Sequence, residues 1–246
     1  MIPWNQQRPD PRLYYFAVPN AIFDDGINAV EYAIMAYLYS RVARKLDAPN
    51  LMTVMHNLSV SRNTLKKYVR RLVKRNWLIV QHRRFSFALA FSMKDTIHLS
   101  AAPRPRVGYF FPMPVAVFGL GLSAGELAVY GYLLSREDRE SFECWPSSKT
   151  IGAALHMSKN TVLKYVHRLE EKGFIVTEPT QVRRRDGTKW NGNLKYHIRP
   201  IQSVVKAWNE KQAERAREES RLFRAMKTAA HRPGFTVSAS IPKERR

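Results

Sequence analysis

The sequence predicts a mainly α fold with small β-hairpins (α+β), in which one unit is used twice and a C-terminal helix follows. Three observations predict it. The first is a repeated stretch: Leu58-Ser-Val-Ser-Arg-Asn-Thr-Leu-Lys-Lys-Tyr-Val-Arg-Arg-Leu72 returns as Leu155-His-Met-Ser-Lys-Asn-Thr-Val-Leu-Lys-Tyr-Val-His-Arg-Leu169. The offset from Ser61 to Ser158 is 97, and the shared Ser-x-Asn-Thr-x-x-Lys-Tyr-Val-x-Arg-Leu is too long for coincidence. The second is a change of period, since each stretch has an apolar helical run before it and alternating, strand-like residues after it. The third is length: 246 residues accommodate two domains of about 100 residues with a segment to spare.

Composition narrows the function classes. Hydrophobic residues make up 45%, enough for ordinary cores, but 41 Lys+Arg against 20 Asp+Glu leave a net charge of +21. Residues 1–100, 101–200 and 201–246 each carry an excess of basic residues. A field of that sign favours polyanions, nucleic acid first and an acidic membrane surface second. The single cysteine, Cys144, excludes an intrachain disulfide and any multi-cysteine zinc site. No apolar run approaches the roughly 18 residues of a membrane span, and Met1 to Asp10 lacks an apolar signal region. The expected compartment is the cytoplasm of a prokaryote, with the protein associated with the nucleoid.

In chain order, residues 1–13 are rich in Pro, Arg and Gln and read either as an extended arm lying in a DNA groove or as an unstructured end. The first domain is expected over 14–100. Its opening helix, Ala29 to Arg41, is apolar on nearly every face and should be buried. Asn50 to Leu58 is a second, less clearly marked helix. Ser61 then caps a third, on which Leu65, Tyr68, Val69 and Leu72 form an apolar stripe. Trp77 to Val80, a turn at Gln81 to Arg84, and Phe85 to Phe91 read as a short hairpin. Residues 101–108, with two prolines, form the expected linker.

The second domain is expected over 109–200. Glu126 answers Glu31 and Tyr132 answers Tyr37 at an offset of 95, so a small insertion separates the first two helices of one copy. Trp145-Pro-Ser-Ser and the run to Leu155 give a short helix capped by Ser147 or Ser148, and the break at His156-Met157 precedes the helix from Ser158. A short helix, a tight turn and a second helix make a helix-turn-helix. Gly173 ends the last helix. Phe174 to Thr177 and Leu194 to Ile198 then pair around a long tip, Gln181 to Asn193, which holds Arg183, Arg184, Arg185 and Lys189. A hairpin behind a helix-turn-helix is a wing. Pro200 opens a charged helix over 201–232, and 233–246 read as a disordered basic tail.

With these pieces assembled, the chain resembles the winged helix-turn-helix superfamily twice over, across about residues 14–200. The second copy carries the resemblance best, in Trp145-Pro-Ser-Ser-x-x-Ile151, Leu155-x-Met-Ser-x-Asn-Thr161 and Leu169-Glu-Glu-Lys-Gly-Phe-Ile175. It is similar to the module found in Gram-positive plasmid, phage and conjugative-element proteins, including initiators of the replication-initiator-A type. The resemblance implies two tandem winged domains and DNA binding, and it leaves the role open between initiator and repressor. The first copy departs where Asn76 replaces the capping glycine and where its wing reads as short.

A recognition helix enters the major groove by its N-terminal half. Asn63 and Asn160 can pair bidentately with adenine, while Arg62, Lys67, Lys159 and Lys164 reach guanine or phosphate. Lys66, Arg70 and His167 complete the outer faces. Thr64, Thr161, Arg71 and Arg168 suit phosphate oxygens, and the wing residues Arg83, Arg84, Arg183, Arg184, Arg185 and Lys189 suit a neighbouring backbone or minor groove. Tyr68 and Tyr165 read as core edge, and His156, His167 and Cys144 as structural. There is no Gly-rich phosphate loop, no histidine pair flanking one apolar residue, and no concentration of acidic residues. The expectation is therefore no enzyme, no cofactor, no small-molecule ligand and no membrane partner. The expected partner is double-stranded DNA, with the C-terminal helix available to a second copy or to a replication or transcription partner. Two alternatives stand beside this: a first domain turned adaptor or dimerisation module, suggested by its short wing, and a non-specific polyanion binder living on charge.

Overall fold

The computed structural model describes residues 15–24, 26–82, 92–100, 110–183 and 189–230. The expected N-terminal arm, the 101–108 linker and the 233–246 tail lie outside them.

Copy one runs β1 (Tyr15–Pro19), a 3-10 turn, α1 (Ala29–Ala43), α2 (Leu51–Leu58), α3 (Arg62–Lys74), β2 (Leu78–Gln81) and β3 (Thr96–Leu99). Copy two repeats the order with β4 (Phe110–Pro114), a 3-10 turn, α4 (Ala124–Arg136), β5 (Glu143–Cys144), α5 (Ser148–Leu155), α6 (Lys159–Glu171), β6 (Ile175–Arg183) and β7 (Lys189–Ile198). α7 (Ile201–Ala230) follows. The chain divides into two units, Met1–Val205 and Lys206–Arg246. In the second, the described residues are helical and almost all exposed.

Each helix begins and ends for a local reason. α1 and α4 open with capping boxes, Asn28 with Glu31 and Ser123 with Glu126, which satisfy first-turn amides from both directions. As their all-round apolarity predicts, Glu31 to Leu38 and Gly125 to Leu134 are buried without a break. Asn50 and Ser147 cap α2 and α5, which stop where Ser59 and His156 turn left-handed, at φ 49 and 51°. Those residues are the turns of the two helix-turn-helix units. Ser61 and Ser158 accept the amides of Thr64 and Thr161 at 3.2 Å. Leu65, Val69 and Leu72, with Val162, Val166 and Leu169, bury the predicted stripe.

Two details of copy one differ from expectation. Asn76 stands where copy two has Gly173, and it adopts the same left-handed backbone, φ 59 against 76°. Asn76 and Gly173 both donate to the carbonyl three residues back. Asparagine tolerates that conformation, so the helix end is kept. The strand that pairs with β2, however, lies further along the chain than expected. β2 pairs antiparallel with β3, from Leu78↔Leu99 to Gln81↔Thr96. Phe85–Phe91 lies outside the described residues, and the segment between the paired strands is 82–95. The Phe-Ser-Phe-Ala-Leu-Ala-Phe run has the stronger alternation, but Ile97 is the residue buried against the domain. Asp95 anchors the return by accepting the Ser92 amide at 2.7 Å and meeting His82 Nδ1 at 3.0 Å. The small insertion of copy two lies ahead of β5, whose Glu143 and Cys144 pair with β7; copy one keeps only the bridge Asn50↔Thr96 at that place.

Where the sequence suggests domains in succession, the structure packs both copies into the Met1–Val205 unit. β1 and β4 form an antiparallel ribbon centred on Ala17↔Pro112. α1 lies on α4 closely enough that a Cβ on Gly131 would collide with the Tyr32 hydroxyl. Phe23 packs on Tyr32, Phe111 and Tyr132, and Phe118 packs on Phe16 and Tyr37. Burying aromatics of this size supplies much of a core's free energy.

Candidate nucleic-acid interface

On α3, Arg62, Asn63, Lys67 and Arg70 are exposed while Lys66 is half-buried. On α6, Lys159, Asn160, Lys164, His167 and Arg168 are exposed. Asn63, Lys67 and Arg70, with Asn160, Lys164 and His167, lie on the face opposite the buried stripe, and Arg62 and Lys159 are exposed in the first turns. Each helix thus presents hydrogen-bonding and cationic groups next to its positive dipole end. The Thr64 and Thr161 hydroxyls lie 2.8 Å from their capping serine oxygens. They retain acceptor or donor capacity for one more partner but are held in place. His167 sits 3.6 Å from Glu171, both well exposed.

Arg71, expected at a phosphate oxygen, lies beside a core carboxylate. Its Nε lies 3.0 Å from Oε1 of the fully buried Glu31, and Arg75 Nη1 is 3.6 Å from Oε2. Copy two has the counterpart in Lys172 Nζ, 2.8 Å from Glu126 Oε2. Lys172 also donates to the Gly121 carbonyl at 2.7 Å. Burial alone would raise the Glu126 carboxyl, but the hydrogen bonds from Lys172 and Ser123 outweigh it and hold the group below its ordinary value. Each buried glutamate therefore does two things: it caps the core helix and clamps the C-terminal end of α3 or α6 to it. Arg75, Lys172, Glu31 and Glu126 were missed as partners of the site. The available signal was Glu three residues after Asn28 and Ser123, together with a cation at the matching place after the repeated stretch, Arg75 in one copy and Lys172 in the other.

Tyr68 and Tyr165 are half-buried. Lys67 and Arg71 lie over the Tyr68 ring at 5.6 and 5.5 Å, and the Tyr165 ring fills the space over Gly125. Arg83, Arg84, Arg184 and Arg185 lie outside the described residues. Arg183 and Lys189 are register partners at the end of the β6–β7 ladder. Glu170 accepts the Thr177 amide and hydroxyl at 2.9 Å each, tying α6 to the root of that hairpin.

The chemistry elsewhere is quiet. Cys144 is buried, and burial pushes its thiol up to about 12, leaving it a thiol rather than a nucleophilic thiolate. Among the described residues no group of His, Cys, Asp and Glu could hold a metal ion, and no helix is long and apolar enough to cross a membrane. A cleft of about 480 Å³ brings Ser59 and Val60 of the first turn beside Gly121, Arg168 and Lys172 of copy two.

Comparison with known proteins covers part of the chain. No curated protein matches it. A solved structure described as a possible transcriptional regulator from Methanosarcina mazei Go1 is similar at 21% identity, over 45% of this chain and 88% of that one, with a TM-score of 0.31. A family described as a helix-turn-helix domain matches residues 120–175, from the turn ahead of α4 to the start of β6.

Proposed function

We propose that the protein is a sequence-specific binder of double-stranded DNA, with α3 and α6 as its two reading helices. It acts as a non-catalytic replication initiator or transcriptional regulator of a mobile element. The observation that carries this reading is the pair of matched, capped helices, each exposing Asn and Lys or Arg in its first turns from one compact unit. Asn63 and Asn160 read adenine, Arg62, Lys67, Lys159 and Lys164 read guanine or hold phosphate, and Arg168 and the wings hold the backbone. Two weak contacts made from one body reinforce each other through effective concentration.

Selection of bound sites from random duplex DNA, followed by footprinting on the parent element, tests this reading. A defined motif is expected, over an origin for an initiator and over a promoter for a regulator. Equal binding of all sequences at every salt concentration would contradict it.

A further inference from the structure

The packing of the two copies says how their reading helices are related. The β1–β4 ladder runs Tyr15↔Pro114, Phe16↔Met113, Ala17↔Pro112, Val18↔Phe111 and Pro19↔Phe110. Exchanging the copies at their offset of 95 turns each of these pairs into another pair of the same ladder, and turns Ala17↔Pro112 into itself. The aromatic contacts behave in the same way. Phe23–Tyr132, edge-on at 5.1 Å and 77°, becomes Phe118–Tyr37, edge-on at 5.3 Å and 84°. Phe23–Phe111, stacked at 6.0 Å and 23°, becomes Phe118–Phe16, stacked at 6.0 Å and 24°.

The turns agree as well. Gly26, at φ 63°, approaches His156 of the opposite helix-turn-helix so closely that a Cβ would meet the imidazole. Its counterpart Gly121, at φ 66°, lines the cleft with Ser59, the counterpart of His156. Each copy therefore offers the other the same surface that it receives. That is the mark of an isologous, twofold contact. A head-to-tail arrangement would instead pair one surface with a different one.

α3 and α6 belong to the bodies that this twofold exchanges. A duplex has its own twofold axes, perpendicular to its length, and reading heads related by a dyad meet equivalent half-sites in opposite orientation. We infer that one chain binds an inverted repeat, as a homodimeric helix-turn-helix protein does with two chains, and not a pair of direct repeats. The inference rests on the DNA-binding reading above. The repeat is imperfect, for reasons visible on the two faces. Asn63 and Asn160, Thr64 and Thr161, and Lys67 and Lys164 are kept, so base pairs read by the first turn recur on both sides of the dyad. Lys66, Arg70 and Lys74 face Leu163, His167 and Glu171, so the half-sites diverge where the later turns reach.

The test uses the full chain and the duplex obtained by selection. Four probes are compared by fluorescence anisotropy: the selected site, one half-site inverted, the same half-site repeated directly at equal spacing, and a scrambled sequence. Sedimentation gives the number of chains per duplex. The inverted probe should bind at least tenfold more tightly than the direct one, with one chain per duplex. Asn63→Ala and Asn160→Ala, both at exposed positions, should relax the base preference at dyad-related positions in opposite halves. Direct repeats bound as well as or better than inverted ones would overturn the inference, as would two chains on one inverted probe. So would asparagine variants that relax the same half. If the scrambled probe binds as tightly as the selected site, sequence-specific binding itself fails and the inference falls with it.

Discussion

Glu31 and Glu126 show what a single residue does here. A carboxylate with almost no exposed surface holds its partner at the cost of desolvation, and removing one side strands the other. Glu126→Ala leaves the Ser123 amide without its acceptor and Lys172 Nζ with the Gly121 carbonyl in place of a carboxylate, and should cost on the order of 3 kcal/mol in urea unfolding. A loss below about 0.5 kcal/mol, the scale of a surface change, would contradict this role. Glu31→Ala should cost less, because Arg71 is half exposed and its pairing is screened. Glu137 works in the opposite sense. Burial pushes its carboxyl up from 4.5 to about 7. The unfolded chain releases that proton near pH 4.5 and the folded chain near pH 7. Its contribution to stability is thus complete below pH 4.5 and is lost as pH rises through 7. Glu137→Gln should melt higher than the parent at pH 8 and show no such gain at pH 4. An equal difference at both pH values would show that charge is not the cause. The glutamates were legible only in part: the repeat matches Glu31 with Glu126 and Arg75 with Lys172, but nothing local says that cations more than forty residues downstream meet those carboxylates.

At the scale of the element, the helices were the legible part, because their signals are local. Ser61 and Ser158 cap as predicted, the stripes at Leu65 and Val162 are buried, and His156 turns where the sequence breaks. Strand pairing was less legible. Alternation pointed to Phe85–Phe91 as the partner of β2, and the strand that pairs with it is Thr96–Leu99, held by the burial of Ile97 and the Asp95 anchor. Ser158→Ala removes the cap of α6 and should cost about 1 kcal/mol. In the same thermal melt Ser158→Asp should keep most of it, since aspartate caps equally well. If both variants lose equally, the serine contributes something other than the cap.

At the scale of the molecule, the sequence reveals a repeat but not its symmetry. An offset of 95 or 97 is compatible with beads on a string or with two halves of one core. The difference lies in complementary contacts such as Tyr32 against Gly131, between residues about a hundred positions apart. Because α1 and α4 share a core, the unit ending at Val205 should unfold in a single transition, with calorimetric and van't Hoff enthalpies equal. Gly131→Leu, which drives a side chain into Tyr32, should lower the stability of both copies together. Two separable transitions would instead mean that the copies are independent domains.

The most direct measurement compares paired variants of α3 and α6, the two helices proposed to read DNA, on one selected duplex at fixed salt. Asn63→Ala with Lys67→Ala disarms α3, and Asn160→Ala with Lys164→Ala disarms α6. Each pair removes one base contact and one cation, and each should weaken binding by about tenfold or more while leaving the melting temperature unchanged. Loss confined to the α6 pair, with the α3 pair binding as the parent does, would contradict the claim that both copies read DNA.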